Sequence, residues 1–194
     1  MKRKIIALTG KIGSGKSVVA SIVRDMGFDT VDCDDLAKQV ASNPTVVNRV
    51  QQLLGGDSVV QGQLNRKYIR EVVFGNKELL EQYQQIFFGG VKALLTANIQ
   101  SLCSNDTPAE QLKPIFDEIP VLDAFDFHFD EIWRVESSDQ ACISRVTARD
   151  NVSRESVRNT LNSQKCYDCT RVIVNNGNLE QLTQSVHTIL GEII

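Results

Sequence analysis

The chain has 194 residues, of which 42% are hydrophobic and 23% are charged, and its formal net charge is −3. This length supports one sizeable core and a small inserted subdomain. A sequence-independent nucleic-acid binder would be basic overall, and no apolar stretch is long enough to span a bilayer, so we expect neither a nucleic-acid nor a membrane partner. The apolar run near the N-terminus leads into a glycine-rich loop instead of a cleavage site, which favours a cytoplasmic protein. We expect it to be a monomer.

The N-terminal forty residues predict a βαβ unit. The apolar run Ile5–Thr9 has the continuous hydrophobicity of a buried parallel strand. A glycine-rich loop follows, and apolar residues then recur at helical spacing as far as Gly27, a natural helix stop. The alternating stretch "FDTVDCD" predicts a second strand that ends in acidic residues.

A segment rich in Gln and Asn, about residues 44–112, separates this unit from the rest of the core. Its pattern predicts helices around Thr45–Leu54, Arg66–Phe74 and Leu79–Gln100. Turn residues in "GGDSVVQGQ" interrupt the helices, and we expect no strand here. The domain prediction is a core formed by residues 1–43 and 113–194 with a helical insertion at 44–112.

Beyond the insertion, "PIFDEIPVL", "FDEIWRVESS" and "TRVIVNNG" predict three more strands, and an amphipathic helix closes the chain. Two helices between Asp139 and Gln164, with Ser153 as a predicted N-cap, form an expected helical lid, about residues 139–165. The expected fold is therefore α/β. It has a five-stranded, mostly parallel sheet with helices on both faces, the helical insertion and the lid.

Several polar features fall at the predicted ends of strands. They are the glycine-rich loop, Asp34, Glu118 and Asn175. Because ligands bind at the carboxyl ends of the strands in such sheets, we expect these distant parts of the chain to share one site.

The glycine-rich loop carries the most specific motif. Gly10, Gly15, Lys16 and Ser17 fit the pattern G-x-x-x-x-G-K-[ST], and Gly13 is an additional glycine. Glycines let the backbone N–H groups point at phosphate oxygens, and the positive end of the following helix adds to this field. Lys16 would reach the β- and γ-phosphates, and the Ser17 hydroxyl would bind Mg²⁺. The alternative is a glycine-rich turn with a surface lysine, but the strand before and the helix after favour a nucleoside triphosphate site.

Transfer of a phosphoryl group also needs a base near the acceptor hydroxyl. The sequence "VDCDD" places Asp32, Asp34 and Asp35 after the second strand. One of them accepts a proton from an alcohol, or Asp34 or Asp35 instead caps the next helix. The spacing leaves both interpretations open.

Transfer needs cations around the moving phosphoryl group as well. Arg145 and Arg149 are four residues apart on a predicted helix, and Arg154 and Arg158 repeat this spacing on the next one. These arginines either close over the phosphates as a lid or form a solvated charged face.

Taken together, these segments resemble dephospho-coenzyme A kinases, small P-loop kinases of the nucleoside-monophosphate kinase type. The opening "IALTGKIGSGKS" is close to the family's "ALTGGIGSGKS", and "TVDCDDLAKQV" resembles its acidic segment. The segments "GQLNRKYIREVVFGN", "DEIPVL", "ISRVTARDNVSRESV" with Gln164, and "VIVNNG" resemble later parts of the family. The resemblance covers nearly the whole chain.

The resemblance implies a reaction in which ATP phosphorylates the ribose 3′-hydroxyl of dephospho-coenzyme A. It implies that Asp34 is the base and that the insertion binds coenzyme A, with Lys16 and Arg145 as further catalytic residues. The implied acceptor residues are Asp34, Lys38, Arg66 and Phe88. The expected ATP-binding residues are Lys11, Gly13, Ser14, Gly15, Lys16, Ser17, Val18, Arg149 and Asn175. Mg²⁺ is expected at Ser17.

The chain departs from the family's pattern on the acceptor side. Lys38 stands where the family has arginine, Asn65 where it has aspartate, and Phe88-Gly89 where it usually has His-Pro. Ala124 stands where the family has glutamate. These departures keep two alternatives open: a related kinase acting on another nucleotide or small alcohol, and a nucleotide-binding paralogue without turnover.

Five cysteines at scattered spacing argue against a disulfide framework and for a reducing compartment. Cys166 and Cys169 form a C-x-x-C motif. A single motif of this kind predicts incidental thiols first, and a zinc or redox site second.

Overall fold

The computed structural model describes residues 3–73, 76–103, 113–124 and 126–193. In chain order, its helices and strands are β1 (Ile5–Thr9), α1 (Lys16–Asp25), β2 (Asp29–Asp32), α2 (Cys33–Ser42), α3 (Pro44–Leu54), β3 (Val59–Val60), β4 (Gln63–Leu64), α4 (Arg66–Val73), α5 (Lys77–Cys103), β5 (Ile115–Glu118), β6 (Glu131–Glu136), α6 (Asp139–Asp150), α7 (Arg154–Ser163), β7 (Arg171–Val174) and α8 (Leu179–Gly191). Short 3₁₀ turns lie at Gly56–Ser58 and Leu122–Ala124. The predicted end of the second insertion helix, Phe74, lies outside the described residues.

The chain divides into two compact units. The first unit contains Met1–Val31, Leu102–Leu122 and His128–Ile194, and the second contains Asp32–Ser101 and Asp123–Phe127. The second unit begins before the predicted insertion, about residues 44–112, whose boundaries stay a prediction.

The main sheet has five strands in the order β2-β5-β1-β6-β7. The central strand β1 runs parallel to β5 and β6, and β7 runs parallel to β6. The carboxyl ends of these four strands therefore meet at one edge of the sheet, where the glycine-rich loop, Glu118 and Asn175 follow or end their strands. The predicted α/β fold with a five-stranded sheet is confirmed.

The core of the first unit is built on β1, which is buried along its whole length. Phe116 of β5 packs edge-on against Phe28 and Trp133, with ring centroids 5.6 Å and 5.1 Å apart. Helices α1 and α8 contribute Val19, Val23, Val186 and Leu190 to the same cluster. Each such side chain contributes about 1.5–3 kcal/mol through burial, which fixes the strand and helix that flank the glycine-rich loop.

The second unit contains α2–α4, most of α5 and a small hairpin. Strands β3 and β4 pair antiparallel, so the expectation that the insertion has no strand of its own is wrong. The turn residues Gln61 and Gly62 both have positive φ, at 51° and 76°, as a tight two-residue hairpin turn requires. Strands of two residues are too short to show an alternating pattern, and only the turn residues signal them.

Helix α5 has 27 residues, and its buried side chains, Val91, Leu95 and Ile99, recur at helical spacing. By length and composition it meets the criterion for a helix that crosses a membrane, as the core helix of a soluble protein also does. The expectation that no apolar stretch reaches this length is therefore wrong. Its meeting the criterion is weak evidence for a membrane span.

Helices α6 and α7 form a helical hairpin. Each begins at a serine cap: the Ser138 hydroxyl accepts a hydrogen bond from the Ala141 N–H, and the Ser153 hydroxyl accepts one from the Ser156 N–H. The predicted N-cap at Ser153 is confirmed. The two helices pack through a buried cluster formed by Cys142, Ile143, Val146, Val157 and Leu161.

Candidate active site

The loop between β1 and α1 has the backbone that the glycine pattern predicts. Gly13 and Gly15 have φ of +75° and +103°, which are left-handed values that favour glycine. A side chain at Gly13 would also meet the Cys142 carbonyl oxygen of α6, 2.7 Å from an added Cβ. Gly13 is therefore required both by the turn and by the close packing of α6 behind it.

Lys16 begins α1 and reaches back across the loop. Its Nζ donates a hydrogen bond to the Gly10 carbonyl oxygen at 2.9 Å. This contact holds the ammonium group at the loop, where a mobile point charge would meet phosphate oxygens.

Ser17 pairs with an acid from the neighbouring strand. Its hydroxyl donates to Glu118 Oε1 at 2.6 Å, and Glu118, the last residue of β5, is 9% exposed. The sequence pattern placed Glu118 at a strand end and in the shared site, but gave it no role beside Ser17. The signal that identifies it is an acid at the end of the strand beside β1, and only the sheet order reveals that neighbour.

The two oxygen donors of Ser17 and Glu118 are of the hard type that Mg²⁺ prefers. Among the described residues there is no cluster of three or more His, Cys, Asp or Glu that could hold a metal ion. The residues present therefore fit Mg²⁺ bound through few protein groups, with phosphates and water as the remaining ligands.

Arg145 lies behind the loop. Its Nη1 donates to the Gly13 carbonyl oxygen at 3.2 Å and to the Ser137 hydroxyl at 3.0 Å, and its Nη2 donates to the Asn175 carbonyl oxygen at 3.0 Å. One guanidinium therefore ties the loop to α6 and to the end of β7. In this arrangement Arg145 orders the backbone of the loop.

Asn175, which directly follows β7, also contacts the loop. Its side chain is buried, and Nδ2 donates to the Ser14 carbonyl oxygen at 2.8 Å. Its backbone N–H donates to the Glu136 carbonyl oxygen at 2.7 Å. In this structure the side-chain amide of Asn175, which the resemblance assigns to ATP binding, holds the loop through its hydrogen bond to Ser14.

The remaining predicted ATP-binding residues have different surroundings. Lys11 is half-buried, and Val18 is 41% exposed at the start of α1. The Ser14 hydroxyl is buried, with no hydrogen-bond partner among the described residues.

Arg149 is exposed and forms an ion pair with Asp150 at 2.6 Å. The hydrogen bond from Arg149 lowers the pKa of Asp150. Among the described residues, the hydrogen bonds of the Arg149 side chain go to Asp150 and not to the loop.

A groove of about 670 Å³ runs between α1 and α8. It begins at Ser17 and Val18, passes Ile22 and Leu179, and ends near His187. Most of its wall is apolar, and Leu179 is 63% exposed at its edge. The groove has the size and character of a small-molecule site and starts at the phosphate loop.

In the second unit, Asp32 is the cap of α2. Its carboxylate accepts hydrogen bonds from the N–H groups of Asp34 at 2.8 Å and Asp35 at 3.3 Å. The interpretation that Asp34 or Asp35 is the cap is therefore wrong. Asp34 is exposed in the first turn of α2.

Lys38 lies one turn further along α2. Its Nζ forms an ion pair with Asp35 Oδ1 at 2.6 Å, and this hydrogen bond and charge raise the pKa of Lys38. Both side chains are largely exposed, so the pair contributes little to stability.

The other predicted acceptor residues lie around α4 and α5. Arg66 is exposed at the start of α4, and its charge acts on Tyr83: burial raises the pKa of Tyr83 and the Arg66 charge opposes that shift. Phe88 is half-buried and packs edge-on against Phe87, with ring centroids 5.9 Å apart. An aromatic surface therefore accompanies Arg66 in this unit.

The residues that depart from the family's pattern are accommodated locally. The Asn65 carboxamide accepts a hydrogen bond from the Tyr68 N–H at 3.3 Å and donates to the Asp57 carbonyl oxygen at 3.2 Å. Ala124 ends a 3₁₀ turn. A Cβ added to Gly89 would meet nothing within 4 Å. None of these positions is strained.

The structure joins part of the predicted site directly. In the first unit, described contacts connect the loop, Lys16, Ser17, Arg145 and Asn175. The predicted acceptor residues Asp34, Lys38, Arg66 and Phe88 belong to the second unit.

A parallel sheet, a central strand that runs into a phosphate loop with Lys16 and Ser17, and an acid beside that serine define a P-loop protein of the nucleotide-kinase type. The family model for dephospho-CoA kinase (CoaE) matches residues 4–181. The chain belongs to the dephospho-CoA kinase family.

Relatives and solved structures agree with this assignment. The chain is 31% identical to a dephospho-CoA kinase of Streptococcus thermophilus over 97% of its own length and 98% of that protein. It is 30% identical to one of Thermus thermophilus over 97% and 91%. The crystal structure of TT1252 from Thermus thermophilus is similar, with a TM-score of 0.82 and 28% identity over both full chains. Dephospho-CoA kinase from Campylobacter jejuni shares the fold, with a TM-score of 0.61 and 21% identity over 98% and 97%.

Proposed function

We propose that this chain transfers the γ-phosphoryl group of ATP to the ribose 3′-hydroxyl of dephospho-CoA and releases CoA and ADP. The observation that carries the proposal is a complete, ordered phosphate loop in a chain whose family match runs from residue 4 to 181. The family assignment does not favour another acceptor or a protein without turnover.

The first unit supplies the donor site in this proposal. The backbone N–H groups of the loop bind the phosphates, and Lys16 exchanges the Gly10 carbonyl for oxygens of the β- and γ-phosphates. Arg145 and Asn175 hold the loop so that little reorganisation accompanies binding. The groove that starts at Val18 and Leu179 is wide and apolar enough to take the adenine ring.

Ser17 and Glu118 would hold Mg²⁺, which when bound offsets the negative charge of the phosphates. The Ser17 hydroxyl now donates to the Glu118 carboxylate, so it must turn its lone pairs outward to bind the ion. Glu118 keeps that hydroxyl in reach because its own position in β5 is fixed by the sheet.

Asp34 is the proposed base. Because Asp32 caps α2, the Asp34 carboxylate is not needed for that role and remains exposed. As the 3′-oxygen forms its bond to the γ-phosphorus, Asp34 takes the hydroxyl proton, and the bond between that phosphorus and ADP breaks.

We further propose that Lys38, Arg66 and Phe88 lie on the acceptor side and that Arg149 exchanges Asp150 for phosphate oxygens. Both arginines and Lys38 are exposed, so no buried contact has to break before they meet an anionic substrate. A cytoplasmic monomer whose partners are ATP and dephospho-CoA is the expected working form, and a mass measurement in solution tests the oligomeric state.

The direct test is the purified chain with Mg²⁺-ATP and dephospho-CoA, followed by quantitation of ADP and CoA. Equal amounts of both products, with little ADP in the absence of acceptor, are expected. A panel of nucleosides and nucleoside monophosphates serves as the specificity control. Turnover with another acceptor and none with dephospho-CoA would contradict the proposal.

A further inference from the structure

The segment between α7 and β7, residues 164–170, contains the C-x-x-C motif, which the proposed reaction leaves without a role. Cys166 is exposed and Cys169 is half-buried, and both are free thiols. We call residues 164–170 the dithiol segment. Two accessible thiols three positions apart are the usual arrangement for a reversible intramolecular disulfide.

Hydrogen bonds attach the dithiol segment to the rest of the first unit at its start, in its middle and at its end. At its start, Gln164 Oε1 accepts a hydrogen bond from the Ile12 N–H of the phosphate loop at 2.8 Å. In its middle, Arg134 Nη1 donates to the Tyr167 carbonyl oxygen at 2.6 Å. At its end, the N–H and hydroxyl of Thr170 both bond to the backbone of β6. One end of the segment therefore holds the phosphate loop.

Arg134 also acts on the two thiols electrostatically. Burial lowers the pKa of Arg134, but the hydrogen bond to Glu136 and the negative charges of Cys169 and Cys166 raise it overall. Both thiols therefore lie within electrostatic reach of one guanidinium.

A disulfide would constrain the segment. The Cα atoms of a disulfide lie about 4.4–6.8 Å apart, so the bond fixes the separation of residues 166 and 169. Gln164 lies two positions before Cys166, at the end of the segment that holds the phosphate loop. The constraint therefore acts directly beside that attachment.

The three attachments differ in strength. Thr170 has several hydrogen bonds to β6, and the bond to Tyr167 is charge-assisted. Gln164 holds the loop through a neutral hydrogen bond from Ile12. This neutral bond is the weakest of the three attachments, and its loss leaves the Ile12 N–H without its partner.

We propose that Cys166 and Cys169 form a redox-active dithiol site, and that its oxidation to a disulfide releases the phosphate loop from Gln164 and weakens ATP binding. With hydrogen peroxide as oxidant, the Cys166 thiolate attacks one peroxide oxygen. The O–O bond breaks, hydroxide departs, and Cys166 becomes a sulfenic acid. The Cys169 thiolate then attacks that sulfur, forming the S–S bond and expelling a second hydroxide. The two thiol protons convert the hydroxides to water, so two thiols and one peroxide give one disulfide and two waters.

The effect on ATP rests on the proposed function, whereas formation of the disulfide does not. By linkage, if the disulfide weakens ATP binding, bound ATP must disfavour the disulfide by the same factor. Two separate measurements therefore bear on the proposal.

The first measurement is the intact mass of the chain after treatment with hydrogen peroxide. The wild type should lose two hydrogen atoms, about 2 Da, and yield a linked peptide containing Cys166 and Cys169. The Cys166→Ser and Cys169→Ser variants should show neither the mass loss nor the linked peptide. Cys103→Ser, which removes another exposed thiol, should behave as the wild type. Oxygen adducts without a disulfide would overturn the site.

The second measurement is ATP affinity before and after oxidation. Oxidised wild type should bind ATP about fivefold to tenfold more weakly, the loss expected for one hydrogen bond, and reduction should restore it. Gln164→Ala should bind weakly from the start and respond little to oxidation. Equal ATP affinity of the reduced and disulfide forms would overturn the coupling. Failure of the reduced wild type to bind ATP would contradict the proposed function instead, and the mass measurement would stand.

Discussion

The phosphate loop and the second unit differ in how far their candidate residues are fixed by other parts of the protein. The loop is tied from several directions, by Lys16 from α1, by Arg145 from α6 and by Asn175 from the end of β7. In the second unit, Asp34, Lys38 and Arg66 are exposed on helix surfaces. In the proposed reaction, the triphosphate would therefore meet a prepared site, whereas the side chains on the proposed acceptor side would still have to be ordered when substrate binds.

The largest expected effect comes from Asp34→Asn. Loss of a general base costs about 10²–10⁴-fold in kcat, and ATP affinity should change little because the loop does not depend on this residue. Steady-state kinetics and calorimetric ATP titration measure the two effects separately. Asp35→Asn, which removes the neighbouring exposed acid and its ion pair with Lys38, is the matched control and should stay within about twofold. Full rate in Asp34→Asn would assign the base elsewhere.

Lys16→Ala should lower both ATP affinity and turnover. It removes a charged donor that now bonds to Gly10 and is proposed to bind phosphates. Loss of such a bond costs about 1.5–3 kcal/mol, which corresponds to roughly tenfold to 100-fold weaker ATP binding, and turnover should fall as well. Titration of Lys77→Ala, which removes a lysine whose side chain is 91% exposed, gives the background effect. Unchanged ATP affinity would remove Lys16 from the phosphate site.

Asn175→Ala tests whether the loop is held from behind. The change removes the hydrogen bond to the Ser14 carbonyl without removing a charge, so KM for ATP should rise about fivefold to tenfold. The KM for dephospho-CoA should not change, which separates a loop-positioning role from general damage. Asn98→Ala, whose exposed amide donates to the Leu94 carbonyl oxygen one turn earlier in α5, is the control. A larger effect on the acceptor KM than on the ATP KM would contradict the positioning role.

Features with a local sequence pattern could be predicted, whereas roles that depend on distant contacts could not. The five main strands are continuous apolar or alternating runs, and the phosphate loop has a spacing set by backbone geometry, so local sequence patterns predict both. Strands β3 and β4 are missing from the prediction because two residues carry no periodicity. The roles of Arg145 and Asn175 depend on contacts with residues 132 and 161 positions away, which no local pattern contains.

The residue that caps α2 is another feature that the sequence did not predict correctly. Asp32, Asp34 and Asp35 are all chemically able to cap a helix, and the sequence does not say where β2 ends. The structure extends β2 to Asp32, which puts that carboxylate one position before the first helical residue, where it accepts the N–H groups of Asp34 and Asp35. A shift of one residue would have changed which acid caps the helix.

The smallest expected effect is a difference in stability between alanine variants of Gly89 and Gly90, two adjacent glycines of α5 in the second unit. Gly89 faces open space, so Gly89→Ala should raise the free energy of unfolding by about 0.5–1 kcal/mol through the lower entropy of the unfolded chain. At Gly90 an added Cβ would lie 3.0 Å from Val40 Cγ1 of α2, so the same entropic gain is offset by displacing α2. Urea unfolding of the two variants measures the difference directly. Equal stabilisation by both would show that the contact between α5 and α2 yields easily, and that the helix carrying Asp34 is held less firmly than the packing indicates.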